Sequence, residues 1–232
     1  MKRLFIIPLL ALLFSSSFVS SNRHSEFDIL LRTHVTPSGA VNYVGFKKQH
    51  SSLKKYINSL EQNPVQTTEN KDIQLAYWIN LYNAVTLNLI LDHYPIESIT
   101  KIKDAWKLNM VTINGKAMSL DHIEKNIIIP RFKDARIHFA VNCAAKSCPK
   151  LLNEAFKGAK LQSQLNSQTK AFINNSAFNQ ITSNKLKLSQ IFNWYKTDFG
   201  NSITFINKYS SVKVNPTAQI SYMEYDWALN KK

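Results

Sequence analysis

The sequence predicts an α+β protein in which helices form the majority, completed by a small, mostly antiparallel sheet with two β-hairpins. Apolar residues recur at helical spacing along most of the chain, whereas two short apolar runs flank turn sequences typical of hairpins. Only five glycines and seven prolines occur in 232 residues, too few for a flexible linker, and no internal repeat divides the chain. We therefore expect a single domain over residues 22–232, preceded by a separate N-terminal segment.

Helices are predicted where apolar residues recur every three or four positions. The longest such stretch, from Ile73 to Leu91, contains no charged residue. Its asparagines and Thr86 would be costly in lipid, so a buried core helix is favoured over a membrane span. The other predicted helices cover residues 27–35, Phe46 to about Leu60, a short segment capped by Ser119, residues 161–173, and two aromatic-rich segments within residues 192–199.

Strands are predicted at four places. The Asn114-Gly115 pair lies between two apolar runs, the strongest short signal for a hairpin turn. A second hairpin is predicted around Ser183-Asn184, and the C-terminal sequence QISYMEYDW predicts a last strand. Alternation within residues 136–141 (RIHFAV) predicts a further strand with one buried face.

Both cysteines of the protein follow that predicted strand. Cys143 comes directly after it, and Cys148 precedes Pro149, a residue suited to the first position of a helix. A thiol near a helix N-terminus is where amide dipoles favour the thiolate, the reactive form. This segment is therefore the first candidate for chemistry.

The first residues have the layout of a secretory signal peptide. Lys2 and Arg3 precede the apolar run LFIIPLLALLF, and the small-residue stretch SSSFVSS follows. Eleven residues in that run are too few to span a bilayer, which disfavours an uncleaved anchor. We expect residues 1–21 to be a signal peptide cleaved after Ser21. The mature chain, starting at Asn22 and without a transmembrane span, is then exported to the periplasm or the extracellular space.

The charge indicates classes of partner without identifying one. The net charge is +14, and it falls to +12 when Lys2 and Arg3 leave with the signal peptide. A protein this basic can associate with an anionic envelope component, and the charge is equally compatible with a protein partner. Its lysines are scattered, and zinc-finger spacing, RNA-binding motifs and aromatic–basic repeats are absent, so nucleic-acid binding is not expected.

The long apolar helix carries two asparagines that need partners. Asn80 and Asn83 lie three residues apart, on one side of the helix. Because buried amides must be hydrogen-bonded, we expect them to tie the helix to backbone or to a polar site. A structural role is favoured over a catalytic one for these two asparagines, and we keep Asn80 and Asn83 as candidates for organising a site.

Four motifs in order carry a family resemblance: YWINLYNAVTLNLI, SLDHIEKNII, RIHFAVNCAAKSCPKL and YDWALN. Together they resemble the bacterial branch of the domain-of-unknown-function family numbered 547, over roughly residues 27–230. The resemblance implies a single exported domain without an established activity. Plant members carry the domain behind a coiled coil, which implies a role in assembly as well as in catalysis. The family's recurring residues correspond here to Trp78, Asn80, Tyr82, Asn83, Glu124, Cys143, Ser147 and Pro149.

Cys143 is the candidate nucleophile, and a nucleophilic thiol usually needs a neighbouring base. All six histidines precede it, which excludes the papain order of cysteine before histidine. His122 and His138 are the candidate bases, and Glu124 or Asn142 would orient the imidazole. On an extended strand His138 would face away from Cys143, a difficulty that His122 does not have.

Two further positions bear on a catalytic site. Many members of the family carry histidine after the glutamate of the Ile-Glu pair, where this chain has Lys125, so the resemblance does not supply an imidazole there. Ser147 and the backbone amides before Pro149 are the candidate donors to an oxyanion.

A Cys143–Cys148 disulfide is the alternative, because the spacing allows it and an oxidising compartment favours it. Plant members keep the Cys143 position while often lacking the second cysteine, which implies a role that needs no partner. The spacing is not Cys-x-x-Cys, two cysteines without paired histidines make a poor zinc site, and nucleotide-binding and Gly-x-Ser-x-Gly motifs are absent. No metal or cofactor is predicted.

Two functions are left open by the sequence. The first is a thiol-dependent hydrolase or acyl transferase using Cys143. The second is a non-catalytic envelope binding or assembly protein in which the two cysteines form a structural disulfide. Whether the protein is an enzyme therefore depends on the state and surroundings of Cys143.

Overall fold

A computed structural model describes residues 23–232, and the predicted signal peptide with Asn22 lies outside the described residues. The described chain is helix-rich α+β, as the sequence predicts. Its α-helices are α1 (Ser25–His34), α2 (Tyr43–Lys47), α3 (His50–Gln62), α4 (Lys71–His93), α5 (Ile129–Phe132), α6 (Leu161–Ile173), α7 (Ile191–Trp194), α8 (Lys196–Phe199) and α9 (Ser202–Ile206).

Helix α4 is the centre of the larger apolar core. Seventeen of its 23 residues are buried, on every side of the helix, which is the pattern of a helix surrounded by protein. The side chain of Asn70 caps its start by accepting the Asp72 N–H at 2.7 Å. Helices α2 and α3 contact α4, and α1 contacts α3. Among residues 23–232, no helix combines the length and apolar character needed to cross a membrane.

Both predicted hairpins are confirmed. Strands β1 (Val111–Ile113) and β2 (Lys116–Met118) pair antiparallel around Asn114-Gly115. Asn114 and Gly115 have φ values of 50° and 75°, as a two-residue hairpin turn requires. A second sheet has the order β3-β4-β5, in which the β3–β4 pair is antiparallel and the β4–β5 pair is parallel. Its strands are β3 (Gln180–Ile181), β4 (Lys185–Leu188) and β5 (Gln219–Tyr222).

Two predicted boundaries differ from the structure. The single helix expected from Phe46 to Leu60 is two helices, because α2 ends at Lys47 and α3 begins at His50. The last strand stops at Tyr222, and the residues after it run as an irregular segment toward the cysteines.

The strand predicted over residues 136–141 is wrong. Residues Ala135–Phe139 form a 3₁₀ helix, capped by Asp134, whose side chain accepts the Arg136 N–H at 3.0 Å. The alternation arises because this segment passes between two apolar cores. Phe139 packs in a smaller core with α6–α9 and β4, whereas Ile137 and Val141 pack in the core around α4. Because alternate apolar side chains of this segment are buried in different cores, the sequence shows a period of two although no strand forms.

The helix predicted to begin at Pro149 is also wrong. The next helical turn is the 3₁₀ helix Gly158–Lys160, which leads into α6. Cys143 is therefore not beside a helix N-terminus, and any activation of its thiol must come from individual hydrogen bonds.

Candidate functional site

The loop that carries both cysteines is shaped by side-chain and backbone hydrogen bonds. Ala144 has a φ of 63°, in the left-handed region, and its N–H donates to Asn142 Oδ1 at 2.8 Å. Asn142 Nδ2 donates to the Pro149 carbonyl at 2.7 Å, which closes the loop at its far end. The turn also brings the Ala145 N–H close enough to the sulfur of Cys143 to lower its pKa. Asn142 therefore organises the loop from a buried position.

The C-terminal segment holds the outer side of this loop. The Lys146 N–H donates to the Ala228 carbonyl at 2.8 Å, and the Asp226 N–H donates to Ser147 Oγ at 2.8 Å. These contacts place Tyr225 beside the cysteines. A site built on the loop therefore depends on residues about eighty positions further along the chain.

Helix α4 holds the inner side of the loop through Asn83. Asn83 Nδ2 donates to the Ala140 carbonyl at 2.9 Å, and its Oδ1 accepts the Asn142 N–H at 2.9 Å. Asn80 makes the same pair of bonds with the backbone of Phe156, at 2.8 and 2.9 Å. The predicted hydrogen bonding of both buried amides is confirmed. Each side-chain amide takes the place of the backbone hydrogen-bond partner that a residue in an irregular segment lacks.

A cavity of about 500 Å³ opens against the cysteines, where the two apolar cores meet. Cys143, Cys148, Glu124 and His138 all line it. Aromatic side chains form much of the remaining wall, and Lys103, Lys107 and Lys125 supply positive charge. The aromatic residues are Tyr82, Trp106, Trp194, Tyr195, Tyr225 and Trp227.

The two cysteines are free thiols in close contact. Their sulfurs lie 2.9 Å apart, and the Cys143 N–H donates to Cys148 Sγ at 2.9 Å. The Tyr225 hydroxyl lies 3.2 Å from Cys143 Sγ. The side-chain hydrogen bond with Cys148 lowers the pKa of Cys143, and the Tyr225 hydroxyl and the Ala145 N–H lower it further, against the opposing effect of burial. Burial raises the pKa of Cys148 well above its ordinary value. Cys143 is therefore the thiol that ionises first.

His138 is held by a carboxylate that the sequence analysis did not select. Its Nε2 lies 2.8 Å from Asp198 Oδ2, and its ring stacks on Tyr195 with centroids 3.9 Å apart. Because a carboxylate only accepts, Nε2 carries the proton, which leaves Nδ1 with a lone pair. That Nδ1 is buried and has no hydrogen-bond partner within residues 23–232. Burial lowers the pKa of His138, and the bond to Asp198 opposes this, so the imidazole is neutral at neutral pH.

Glu124 is a buried carboxylate on the cavity wall. It is 4% exposed, and its Oε1 accepts a hydrogen bond from the Tyr195 hydroxyl at 2.6 Å. No lysine, arginine or histidine of the described chain forms an ion pair with it. It lies on a π-helix, His122–Ile128, a rare geometry that is frequent at functional sites. Tyr195 thus contacts both Glu124 and His138, which joins the two candidate groups through one side chain.

His122 and Lys125 are placed differently from the other candidates. His122 does not line the cavity, and burial together with Lys116 lowers its pKa. Lys125 does line the cavity but pairs with Asp121 at 2.8 Å, one helical turn away. Of the two histidines predicted as the base, only His138 shares the cavity with Cys143. The strand argument against His138 does not apply, since the segment is a 3₁₀ helix.

The backbone amides predicted to hold an oxyanion already have acceptors. The Lys146, Ser147 and Cys148 N–H groups donate to the carbonyls of Ala228, Asp226 and Ala145, and Ser147 Oγ accepts from the Asp226 N–H. Ser147 is therefore a bracing residue, and it does not line the cavity.

Tyr82 is a donor that the sequence analysis did not select for the site. It lies on α4 and lines the cavity, and its hydroxyl makes no hydrogen bond within the described residues. Burial raises the pKa of Tyr82 well above its ordinary value, and the nearby charges of Glu124 and Cys143 raise it further. The phenol therefore stays protonated and can donate to a bound molecule. Its place in the motif WINLYN was the one available signal.

Comparison with known proteins places a large part of this site in a family. A family model described as "Protein of unknown function, DUF547" matches residues 66–173. Residues 66–173 are therefore similar to that family. The match supports the family that the sequence motifs predict, over residues 66–173 of the predicted range, and it does not distinguish the bacterial branch. No curated protein and no solved structure matches the chain.

The DUF547 segment holds Tyr82, Glu124, His138 and both cysteines, but it does not complete the site. Tyr195, Asp198 and Tyr225 lie beyond its end, and each contacts a site residue inside it. The sequence analysis missed these three residues. They carry no local motif, since aromatic residues near 192–199 fit a core helix equally well.

Proposed function

We propose that the cavity binds an acyl compound and that Cys143 is the nucleophile of a thiol-dependent hydrolase or acyl transferase. The observation that carries the proposal is the pair of groups able to donate, the Cys148 thiol at 2.9 Å and the Tyr225 hydroxyl at 3.2 Å, that lie against the sulfur of a half-buried thiol on the cavity wall. Such donors stabilise the thiolate, which is the attacking form. Attack forms a bond from sulfur to the acyl carbon, and the leaving group departs with a proton to give a thioester.

His138 supplies the proton transfers in this proposal. Its neutral imidazole has a free Nδ1 lone pair, and Asp198 stabilises the imidazolium that forms when Nδ1 takes up a proton. No hydrogen bond joins Cys143 to His138 in the structure, so solvent in the cavity would carry the proton that Cys143 releases on ionising to Nδ1, and Nδ1 then gives that proton to the leaving group. In hydrolysis Nδ1 takes a proton from the attacking water, and this proton returns to the Cys143 sulfur as the thioester breaks. This assignment requires only that both side chains face the bound substrate.

Tyr82 is the proposed donor to the oxyanion. The loop amides have acceptors already, whereas the Tyr82 hydroxyl is unbonded, protonated and inside the cavity. A donor directed at developing negative charge is worth about 3 kcal/mol in other acyl-transfer sites. Glu124, bonded through Tyr195 to the stacked face of His138, keeps this arrangement in place.

The test is acylation by an aryl acetate, followed by release of the aryl alcohol and by intact mass. We expect one acetyl group on the wild-type protein, located on Cys143 by peptide mapping, and none on Cys143→Ser. His138→Asn should slow acylation by about 10²-fold, whereas the matched variant His50→Asn, at a histidine outside the cavity, should not. Equal acylation of Cys143→Ser and wild type would contradict the proposal. A quantitative Cys143–Cys148 disulfide in native protein that excess reduced glutathione does not open would instead support the structural-disulfide alternative.

We also propose that the chain is exported, on the basis of the basic, apolar and small-residue order of residues 1–21. Intact mass of protein from the envelope and culture-medium fractions should correspond to a chain starting at Asn22. Recovery of full-length protein from the cytoplasm would contradict export.

A further inference from the structure

Cys148 has no chemical step in acyl transfer, yet its sulfur is the closest side-chain neighbour of the proposed nucleophile. The two sulfurs lie 2.9 Å apart and both are free thiols. They differ in access: Cys143 is half-buried, whereas Cys148 is only 6% exposed. Both line the same cavity. A disulfide bond is about 2.05 Å long, so a side-chain movement of less than about 1 Å would bring the sulfurs to bonding distance.

We propose that Cys143 and Cys148 are a redox-active dithiol that exchanges with disulfide compounds entering the cavity. Cys143 is the attacking thiol because it is the one that an incoming molecule can reach. Cys148 is the resolving thiol because it is buried directly behind Cys143. This activity needs neither His138 nor Tyr82, so it is independent of the acyl-transfer proposal.

The exchange balances in two steps. In the first, the Cys143 thiolate attacks one sulfur of the substrate disulfide, the substrate S–S bond breaks, and one substrate thiolate leaves and takes a proton from solvent. In the second, Cys148 loses its proton to solvent and attacks Cys143 Sγ. The mixed disulfide breaks, and the second substrate thiolate leaves and is protonated. The protein is oxidised by two electrons, and the substrate is reduced to two thiols.

The structure also keeps the two steps in order. Negative charge on Cys143 is one of the effects that raise the pKa of Cys148, together with burial. Once Cys143 is part of a mixed disulfide, that charge is gone, while the Cys143 N–H still donates to Cys148 Sγ and favours its thiolate. The resolving thiol is therefore held protonated until the first step is complete.

The experiment uses reduced full-length mature protein and oxidised glutathione near neutral pH, followed by acid quenching and intact mass. Wild-type protein should lose two hydrogens and carry no glutathione, because Cys148 displaces the adduct. Cys148→Ser should accumulate one glutathionyl group on Cys143, and Cys143→Ser should stay unmodified. Reduced glutathione in excess should return wild-type protein to two free thiols.

Each departure from this pattern overturns the proposal. A stable glutathionyl adduct on wild-type protein would show that Cys148 does not resolve it, and an equally fast adduct on Cys143→Ser would show that Cys148 is the attacking thiol. The wild-type measurement does not depend on any variant folding, and Cys148→Ala gives a second trap for the adduct. His138→Asn separates the two proposals, since thiol exchange does not use His138: this variant should exchange with oxidised glutathione as wild type does, while its acylation by aryl acetate is slowed.

Discussion

The Nε2 of His138 lies 2.8 Å from Oδ2 of Asp198, and this contact joins the DUF547 segment to a residue beyond its end. His138 is 4% exposed, so the carboxylate is the polar group that compensates its burial. The pair fixes the tautomer of the imidazole and leaves Nδ1 as the basic atom. Asp198 therefore determines whether His138 can act as a base, although it does not line the cavity.

Replacing Asp198 with asparagine should lower the pKa of His138 further, because the carboxylate is what raises that pKa against burial. An amide can also donate to Nε2, which moves the ring proton to Nδ1 and removes the free lone pair. We expect aryl acetate acylation to fall by about 10²-fold. The His138 ring titration, followed by NMR, should shift to lower pH.

The matched control is Asp92→Asn, since Asp92 lies near another histidine, His50, at 3.8 Å and outside the cavity. It should leave acylation unchanged. An unaltered His138 titration in Asp198→Asn would show that the carboxylate does not set the state of the ring.

Tyr225 should control the reactivity of Cys143. Its hydroxyl is one of the donors that lower the pKa of Cys143, so Tyr225→Phe should raise that pKa. A hydrogen bond to a charged group is worth about 1.5–3 kcal/mol, so alkylation by iodoacetamide at neutral pH should slow by about tenfold or more. Rates measured against pH should show Cys143 reacting below the ordinary thiol pKa of about 8.5, and Cys148 reacting far more slowly.

The control for this substitution is Tyr222→Phe, at a tyrosine on β5 outside the cavity. Identical alkylation profiles for Tyr225→Phe and wild type would mean that the hydroxyl does not act on the thiol. Equal rates for both cysteines in wild type would contradict the assignment of Cys143 as the first to ionise.

Local signals predicted the parts of the fold that local sequence decides. The Asn114-Gly115 hairpin and the uncharged stretch within α4 are examples, because a turn conformation and an apolar helix depend mainly on their own residues. The cysteine loop was also found, since two cysteines after an apolar run stand out in any fold. Its local structure was predicted wrongly because the alternation of residues 136–141 reflects two separate cores.

The remainder of the site is made by contacts between distant parts of the chain. His138 and Asp198 are 60 positions apart, and Cys143 and Tyr225 are 82 positions apart. Nothing near Asp198 or Tyr225 in the sequence distinguishes them from other surface and aromatic residues. Such partners become visible only once the C-terminal segment is seen to pair with the cysteine loop.

Asn83 should be important for stability as well as for the position of the loop. Its amide bonds the Ala140 carbonyl and the Asn142 N–H in a fully buried place. Asn83→Leu would leave both backbone groups without a partner, at a cost of about 1–3 kcal/mol in the free energy of unfolding. Denaturant unfolding should show this loss, together with slower alkylation of Cys143 as its loop shifts.

Asn88→Leu is the matched control, because Asn88 lies on the same helix but bonds His50 and Asp92 at the surface. Its effect should stay within about 0.5 kcal/mol. Equal losses of unfolding free energy in the two variants would mean that the hydrogen bonds of Asn83 to the buried loop stabilise the protein no more than the surface bonds of Asn88.

His24 should make the protein sensitive to mild acid. Its Nδ1 lies 2.7 Å from the Tyr56 hydroxyl, and burial, with smaller contributions from Arg23 and Lys157, lowers the pKa of His24 to about 3. In the unfolded chain the pKa returns to about 6.5. Between these values the unfolded state binds a proton that the folded state does not. The free energy of unfolding therefore falls as the pH falls below about 6.5, with a slope that approaches 1.4 kcal/mol per pH unit from this group (about 1.36 kcal/mol for each pKa unit).

The measurement is denaturant unfolding of wild type and His24→Asn between about pH 5 and 7, a window above the range where Asp28 and Glu69, whose pKa values are lowered, take up protons. His138 and His122 also contribute to the slope in this window, because burial lowers their pKa values, so the informative quantity is the difference between the two proteins. His24→Asn should lose less stability per pH unit than wild type, whatever its stability at neutral pH. Parallel curves for His24→Asn and wild type would mean that His24 is protonated in the folded protein.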